Sequence, residues 1–173
     1  MWVLLAALAL GGCAAPPAAT PAIGTLYGRL SLQVEAHADR PAQSLSAAFE
    51  LRGNAESGEL RLSTPLGTTL AAAAWAPGEA TLSTPQGQTR YDDLDALSFA
   101  TFGETLPLRA LPDWLKGQAW AGAAQPAVAL APGPGFTQLG WHIDLARFGS
   151  GQVLAVRAGP PAVRLRAQLD DAP

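Results

Sequence analysis

The sequence predicts a mainly β protein in which one antiparallel sheet curls around an apolar cavity and helices cover its concave side. Two observations support this prediction. Apolar and polar residues alternate with a period of two through most of the chain, as in strands with one buried face. The period changes at Asp92 and returns to two after a long loop that ends at Gly135, so the order of elements is strands, then helices, then strands again.

The alternation in the first half of the chain predicts a series of antiparallel hairpins. In Gly28 to Glu35, Leu30 and Leu32 share one face, and Ser44 to Arg52 repeats the pattern. Further strands are predicted over the ranges 59–63, 68–76, 80–83 and 88–91, with turns at 53–58 and 85–87. Alternate alanines between Ala71 and Ala74 fit either a cavity wall, because they leave space, or close packing against a helix.

Two helices are predicted in the middle of the chain. Asp92 and Asp93 can cap a helix that carries Leu94, Leu97, Phe99 and Phe102 on its apolar face. A second helix is expected over Leu108 to Lys116, with Gly117 as its end. The carboxylates of Asp92, Asp93 and Asp95 could also bind a cation, but capping explains them without an ion, so we expect no metal and no cofactor.

The last third of the chain returns to strands. Gln118 to Gly135 is expected to be a long loop, and single strands are predicted over Gln138 to Leu145, Gln152 to Arg157 and Ala162 to Leu169. A sheet of about ten strands tends to curl, and a barrel of about eight or more can hold a small ligand. We therefore expect the sheet to enclose an apolar cavity.

The N-terminus has the pattern of a lipoprotein leader. Met1 to Leu10 is apolar but shorter than the roughly 20 residues that a transmembrane helix needs. Leu10-Gly11-Gly12-Cys13 resembles a lipobox, which implies that residues 1–12 are a signal peptide and that Cys13 is acylated. An ordinary secretory leader with an incidental cysteine is the alternative. Residues 13–23 form an Ala/Pro-rich tether, and residues 24–170 are expected to form a single domain.

Composition excludes several functions. The net charge of -3 offers no broad cationic surface, so binding of nucleic acid is not expected. The chain has no G-x-S-x-G elbow, no H-E-x-x-H motif and no Walker loop, and its single cysteine lies at the leader. His37 falls in a polar loop and His142 on the polar face of a strand. We therefore expect a protein that is not an enzyme.

Several segments together resemble the LolB family, the outer-membrane receptors of the lipoprotein localisation pathway. These are the first strand with Gly28, Arg29, Leu30 and Leu32; the run GELRLSTPLG at 58–67; Leu106-Pro107-Leu108; Trp114 to Gly117; Gly140-Trp141; and the lipobox. The run at 58–67 is the most specific, and the resemblance covers nearly the whole chain after the leader.

The resemblance implies an unclosed antiparallel β-barrel with a helical lid, whose interior takes the acyl chains of lipoproteins from a periplasmic, LolA-like chaperone. It also implies passage to the inner leaflet of the outer membrane, where this chain would be lipid-anchored, and we expect a monomer. The alternative is a structural lipoprotein that scaffolds an envelope complex through its sheet edges without carrying lipid.

The resemblance also assigns residues. From sequence alone, a leucine in the turn Pro65-Leu66-Gly67 would usually fold back on its own domain. In the family, the leucine of this loop protrudes and touches the membrane. Core packing is the default for each tryptophan, with Trp114 and Trp141 the better cavity candidates. The predicted cavity lining comprises Leu32, Phe49, Leu51, Leu62, Trp75, Leu97, Trp114, Trp141, Ile143 and Leu165.

Overall fold

The computed structural model describes residues 24–129 and 132–171 and contains one eleven-stranded sheet. Its elements are β1 (Leu26–Val34), β2 (Gln43–Gly53), β3 (Gly58–Ser63), β4 (Thr69–Ala76), β5 (Glu79–Thr84), β6 (Gly87–Tyr91), α1 (Leu94–Phe102), α2 (Leu111–Trp114), β7 (Val128–Ala129), β8 (Gly135–Gln138), β9 (Trp141–Asp144), β10 (Gln152–Arg157) and β11 (Val163–Leu169).

The sheet is antiparallel throughout and is not closed. Apart from β6 and β7, strands that follow one another along the chain pair with each other, and β1 also pairs with β11. The two edges are β6 and β7, and within the described residues these edges do not pair. The predicted fold class, a mainly β, unclosed barrel with a helical lid, is confirmed.

The inner face follows the predicted alternation. Leu32 of β1 lies opposite Leu45 of β2 and opposite Leu165 of β11, and all three face the interior. Outward positions on the same strands carry Arg29, Ser31 and other polar side chains. Burial of a large aliphatic side chain contributes about 1.5–3 kcal/mol, so the repeated inner leucines fix the register of neighbouring strands.

Helix α1 begins and ends as its sequence indicates. The Oδ1 atom of Asp93 accepts a hydrogen bond from the backbone N–H of Ala96 at 2.8 Å, which caps the first turn. Gly103 ends the helix at φ 72°, and its N–H donates to the carbonyl of Phe99. Leu94 and Leu97 are buried against the sheet, and α1 packs on β5 and β6.

Phe99 differs from its predicted position on the buried face of α1. It is 52% exposed, with the guanidinium of Arg40 lying 5.1 Å from its ring centroid. At about 100° per residue, Phe99 lies about 140° around the helix from Leu94, outside the stripe that Leu94, Leu97 and Phe102 share.

The second helix is shorter in the structure than the sequence predicts. The second helix is limited to Leu111–Trp114, with turns on either side of it, rather than Leu108 to Lys116. Pro112 has no N–H to donate to the carbonyl of Leu108, so the α-helix does not start there. Gly117, at φ 71°, ends the turns that follow Trp114. No helix in residues 24–129 and 132–171 has the length and apolar character needed to cross a membrane.

The single strand predicted over Gln138 to Leu145 is a hairpin of β8 and β9. Leu139 and Gly140 form its two-residue turn, with φ of 53° and 78°. Two successive positive φ values define the turn type that matches the twist of a tight hairpin. The turn reverses the chain, so Leu139 projects outward and is 44% exposed.

Candidate functional site

An apolar cavity of about 300 Å³ lies between the inner face of the sheet and the helical segment. The strands β1 to β5 and β11 form its wall, and α1 with the chain that leads to α2 covers it. Its lining residues are Leu30, Leu32, Leu45, Leu60, Leu62, Leu70, Ala71, Ala73, Leu82, Leu97, Thr101, Phe102, Leu106, Leu108, Leu111 and Leu165.

The cavity offers a ligand apolar contact and little else. Thr101 is the one polar residue in the lining, and its hydroxyl donates to the carbonyl of Leu97 at 2.8 Å. Among the residues that the structure describes, no ionisable side chain lines the cavity. An unpaired polar group would therefore lose its hydrogen bonds to water on entry, whereas a hydrocarbon chain would gain about 25 cal/mol for each Å² that it buries.

Small side chains on β4 provide the space. Ala73 lies opposite Leu60 and Ala71 opposite Leu62, and all four residues line the cavity. A larger residue at either alanine would extend into the void. Of the two interpretations of this alanine run, the structure therefore favours the cavity wall.

The loop between β3 and β4 leaves the sheet at the rim of the cavity. Leu62 and Leu70, on either side of this loop, line the cavity, and Leu70 is partly exposed. Thr64 and Thr68 bond across the base of the loop, and Gly67 adopts φ 84°. Leu66 at its tip is 95% exposed, so this leucine does not fold back on the domain.

Of the ten residues predicted to line the cavity, four do so and six lie elsewhere in the core. Leu32, Leu62, Leu97 and Leu165 lie at the cavity wall. The other six lie on the inner side of the sheet or on α2 but outside this lining; they are Phe49, Leu51, Trp75, Trp114, Trp141 and Ile143.

The three tryptophans among these six residues have specific partners outside the cavity. The rings of Trp114 and Trp141 pack on each other, with centroids 6.1 Å apart and planes tilted by 52°. The indole of Trp75 donates to the carbonyl of Asn54 at 2.9 Å, at the far end of β4. Alternation identifies the inner face of a strand, but sheet curvature decides which inner residues meet empty space.

The cavity also uses leucines that the sequence prediction did not name. Leu30, Leu45, Leu60 and Leu82 had the same alternating pattern as the residues that were named. Leu106 and Leu108 lie in the connection between the helices, where a leucine on each side of Pro107 was the available signal. Cys13, with the rest of residues 1–23, lies outside the described residues.

The fold and the cavity together define a class of protein: an open β-sheet that holds an apolar pocket under a helical lid, as proteins that bind apolar ligands do. A family model described as "Outer membrane lipoprotein LolB" matches residues 25–169. The chain therefore belongs to the LolB family.

Individual relatives agree with the family match. The chain is 31% identical over 180 residues to the outer-membrane lipoprotein LolB of Bordetella pertussis, an alignment that covers 98% of this chain and 88% of the relative. It is 32% identical over 166 residues to that of Bordetella petrii, covering 87% and 81%. It is 33% identical over 150 residues to that of Dechloromonas aromatica, covering 82% and 78%.

Membership in the LolB family gives the location and the general role of the chain. The chain is an outer-membrane lipoprotein, and its family has a receptor role in lipoprotein localisation. The family is one of lipoprotein trafficking and not of catalysis.

Proposed function

We propose that this chain accepts acylated lipoproteins from a periplasmic, LolA-like chaperone and inserts them into the inner leaflet of the outer membrane. One observation carries the proposal: an almost wholly apolar cavity opens beside a loop whose tip is a fully projecting leucine. The first feature can hold an acyl chain, and the second can touch the membrane that receives it.

The energetic problem is the passage of acyl chains through water. Each methylene that leaves an apolar environment costs about 0.8 kcal/mol, so the chains of a lipoprotein need protection until they reach the bilayer. The cavity, at about 300 Å³, is at the lower end of the usual range for ligand pockets and is open to one side. A bilayer buries the chains more completely, which makes the last step favourable.

The anchor completes the proposal. In it, residues 1–12 are the signal peptide, Cys13 is diacylated and residues 13–23 are the tether that connects the lipid to the domain. These assignments rest on the lipobox and on the family, whose members are named as lipoproteins of the outer membrane. The chain would then act as a monomer on the periplasmic face, beside the leaflet that receives its cargo.

The loop Pro65-Leu66-Gly67 supplies the membrane contact. An exposed leucine can enter the apolar part of a bilayer at little cost, whereas it gains nothing in water. Because Leu62 and Leu70 connect this loop to the cavity wall, a loop that touches the bilayer also brings the opening of the cavity to it. This arrangement gives the acyl chains a short path that avoids water.

The first prediction separates cargo acceptance from cargo insertion. A labelled lipoprotein bound to the chaperone is mixed with the receptor, and label is measured first on the receptor and then in liposomes. We expect Leu66→Glu to accept label normally and to pass it to liposomes at least about tenfold more slowly, because a carboxylate is costly to place in a bilayer.

Leu139→Glu is the matched control, since Leu139 is also an exposed leucine at a hairpin tip. It should behave like wild type in both steps. If folded wild-type protein takes no label from the chaperone, the receptor proposal fails, and the alternative, a scaffold that binds through the edge strands β6 and β7, becomes the better explanation.

A further inference from the structure

A second, polar pocket adjoins the acyl-chain cavity. It has a volume of about 330 Å³ and lies between the β1–β2 connection and the C-terminal end of α1. Phe102 lines both pockets. The polar lining of the second pocket includes Glu35, Asp39, Arg40, Gln43 and Glu104.

Strand register shows that the two pockets are neighbours. Leu32 and Leu45 lie opposite each other on β1 and β2 and line the cavity. The next inward pair toward the β1–β2 connection is Val34 and Gln43, and this pair lines the polar pocket. Two residues along a strand span about 6.6 Å, so a ligand with an apolar tail in the cavity can place its head in the polar pocket.

Arg40 of the β1–β2 connection and Gln43 at the start of β2 bond to the C-terminal end of α1. Arg40 donates a hydrogen bond to the carbonyl of Gly103 and lies over the ring of Phe99. The side-chain amide of Gln43 donates to the carbonyl of Phe102 at 3.4 Å. The guanidinium has more donors than this one bond uses, so it can also reach a carbonyl of a ligand.

The charge of the pocket is negative. Arg157 neutralises Glu104 through an ion pair of 2.8 Å. Of the remaining lining residues, Glu35 and Asp39 carry negative formal charges at pH 7 and Arg40 carries the positive one. Glu35, Asp39 and Arg40 are exposed and sum to one negative formal charge, so they repel a phosphate in a way that salt screens. A neutral head with ester and amide carbonyls does not meet this repulsion.

We propose that this polar pocket holds the uncharged glyceryl-ester and peptide head of an acylated cysteine, and that Glu35 and Asp39 disfavour the anionic heads of phospholipids. The inference rests on the proposed function, because it assumes that cargo acyl chains enter the adjoining cavity. The apolar cavity by itself has no means to distinguish the acyl chains of a lipoprotein from those of a phospholipid. The negative charges of Glu35 and Asp39 in the polar pocket provide that distinction.

The test uses the full chain carrying Cys13→Ala, so that no acyl group of its own occupies the cavity. The uncharged fluorophore N-phenyl-1-naphthylamine is bound and then displaced by one of two ligands with identical short acyl chains. One is a diacylglyceryl-cysteinyl peptide amide without net charge, and the other is phosphatidylglycerol. Wild type should bind the lipopeptide more tightly than phosphatidylglycerol. About 0.5 M salt should reduce the ratio of the two affinities, because it screens the carboxylates of Glu35 and Asp39.

The double variant Glu35→Lys with Asp39→Lys should shift the ratio of the two affinities toward phosphatidylglycerol by at least about fivefold at low salt. Glu56→Lys with Asp170→Lys makes the same change in net charge at exposed positions at the other end of the sheet. This control should leave the ratio unchanged. If the double variant does not fold, the effect of salt on the wild-type preference for the lipopeptide still tests the proposal.

The results separate the two proposals. Equal displacement by both ligands, or an equal shift in the control variant, would overturn the polar pocket and leave the acyl-chain receptor intact. Failure of both ligands to displace the probe from folded wild type would overturn both. A preference for the lipopeptide that salt and the double variant reduce would support the charge-based distinction.

Discussion

At the scale of the residue, a buried amide holds the long loop after α2 in place. Gln138 is 3% exposed, and its Oε1 accepts hydrogen bonds from the indole N–H of Trp114 at 2.9 Å and the backbone N–H of Trp120 at 3.0 Å. Its Nε2 donates to the carbonyl of Trp120 at 2.9 Å. One side chain therefore joins β8, α2 and the loop.

Replacement of this amide tests its contribution to stability. In Gln138→Leu the volume is nearly kept, but the buried indole N–H of Trp114 and two partly buried backbone groups of Trp120 lose their partners. We therefore expect the free energy of unfolding to fall by about 2–4 kcal/mol. Urea denaturation measures it. Gln125→Leu, an exposed glutamine of the same loop, should change the value by less than about 0.5 kcal/mol. Equal stability of the two variants would contradict this role.

Residue-scale roles were the hardest to predict from the sequence. Leu66 and Leu139 are both turn leucines, and alternation placed Leu139 inside a strand. The signal that Leu139 begins a reversal was the single Gly140, since Leu139, Trp141 and Ile143 keep the period of two across the turn. Gln138 was missed because a lone glutamine in a strand gives no sign of burial.

At the scale of the element, β4 shows how a strand can shape a cavity. Its inward alanines face the void, and its outward alanines face solvent. In Ala71→Phe the new ring would occupy the cavity, so we expect the affinity for an apolar probe to fall at least about tenfold, or 1.4 kcal/mol, with little loss of stability.

Ala74→Phe is the control for this strand, because Ala74 is exposed on the opposite face. Probe affinity should stay at the wild-type value. Both variants are measured by fluorescence titration and by thermal unfolding. Unchanged binding in a folded Ala71→Phe protein would show that the probe lies elsewhere and would contradict the cavity assignment.

Most elements of the fold could be predicted because each has a local cause. Most strands followed from alternation, and the start of α1 followed from its capping aspartate. The two-residue strand β7 was not predicted, since it lies within the range 118–135 that was expected to be a loop. The extent of α2 could not be derived in this way, since helical propensity around Trp114 competes with two nearby prolines.

At the scale of the whole molecule, the unclosed sheet and its helical lid explain why a cavity lies beside the packed part of the core. Edges at β6 and β7 remain apart, and the lid covers the concave face from one side. The existence of this cavity was predicted from the number of strands and the family resemblance. Its outline depends on long-range curvature, which explains why four of the ten predicted lining residues meet it.

The central claim is that cargo acyl chains occupy the cavity, and site-specific photocrosslinking tests it most directly. A lipoprotein carrying a photoactivatable group near the end of an acyl chain is transferred from the chaperone to this protein and irradiated, and the crosslinked residues are identified by mass spectrometry. We predict crosslinks at cavity residues such as Leu62, Leu97 and Leu165. Crosslinks confined to outward-facing residues or to the edge strands β6 and β7 would contradict the account.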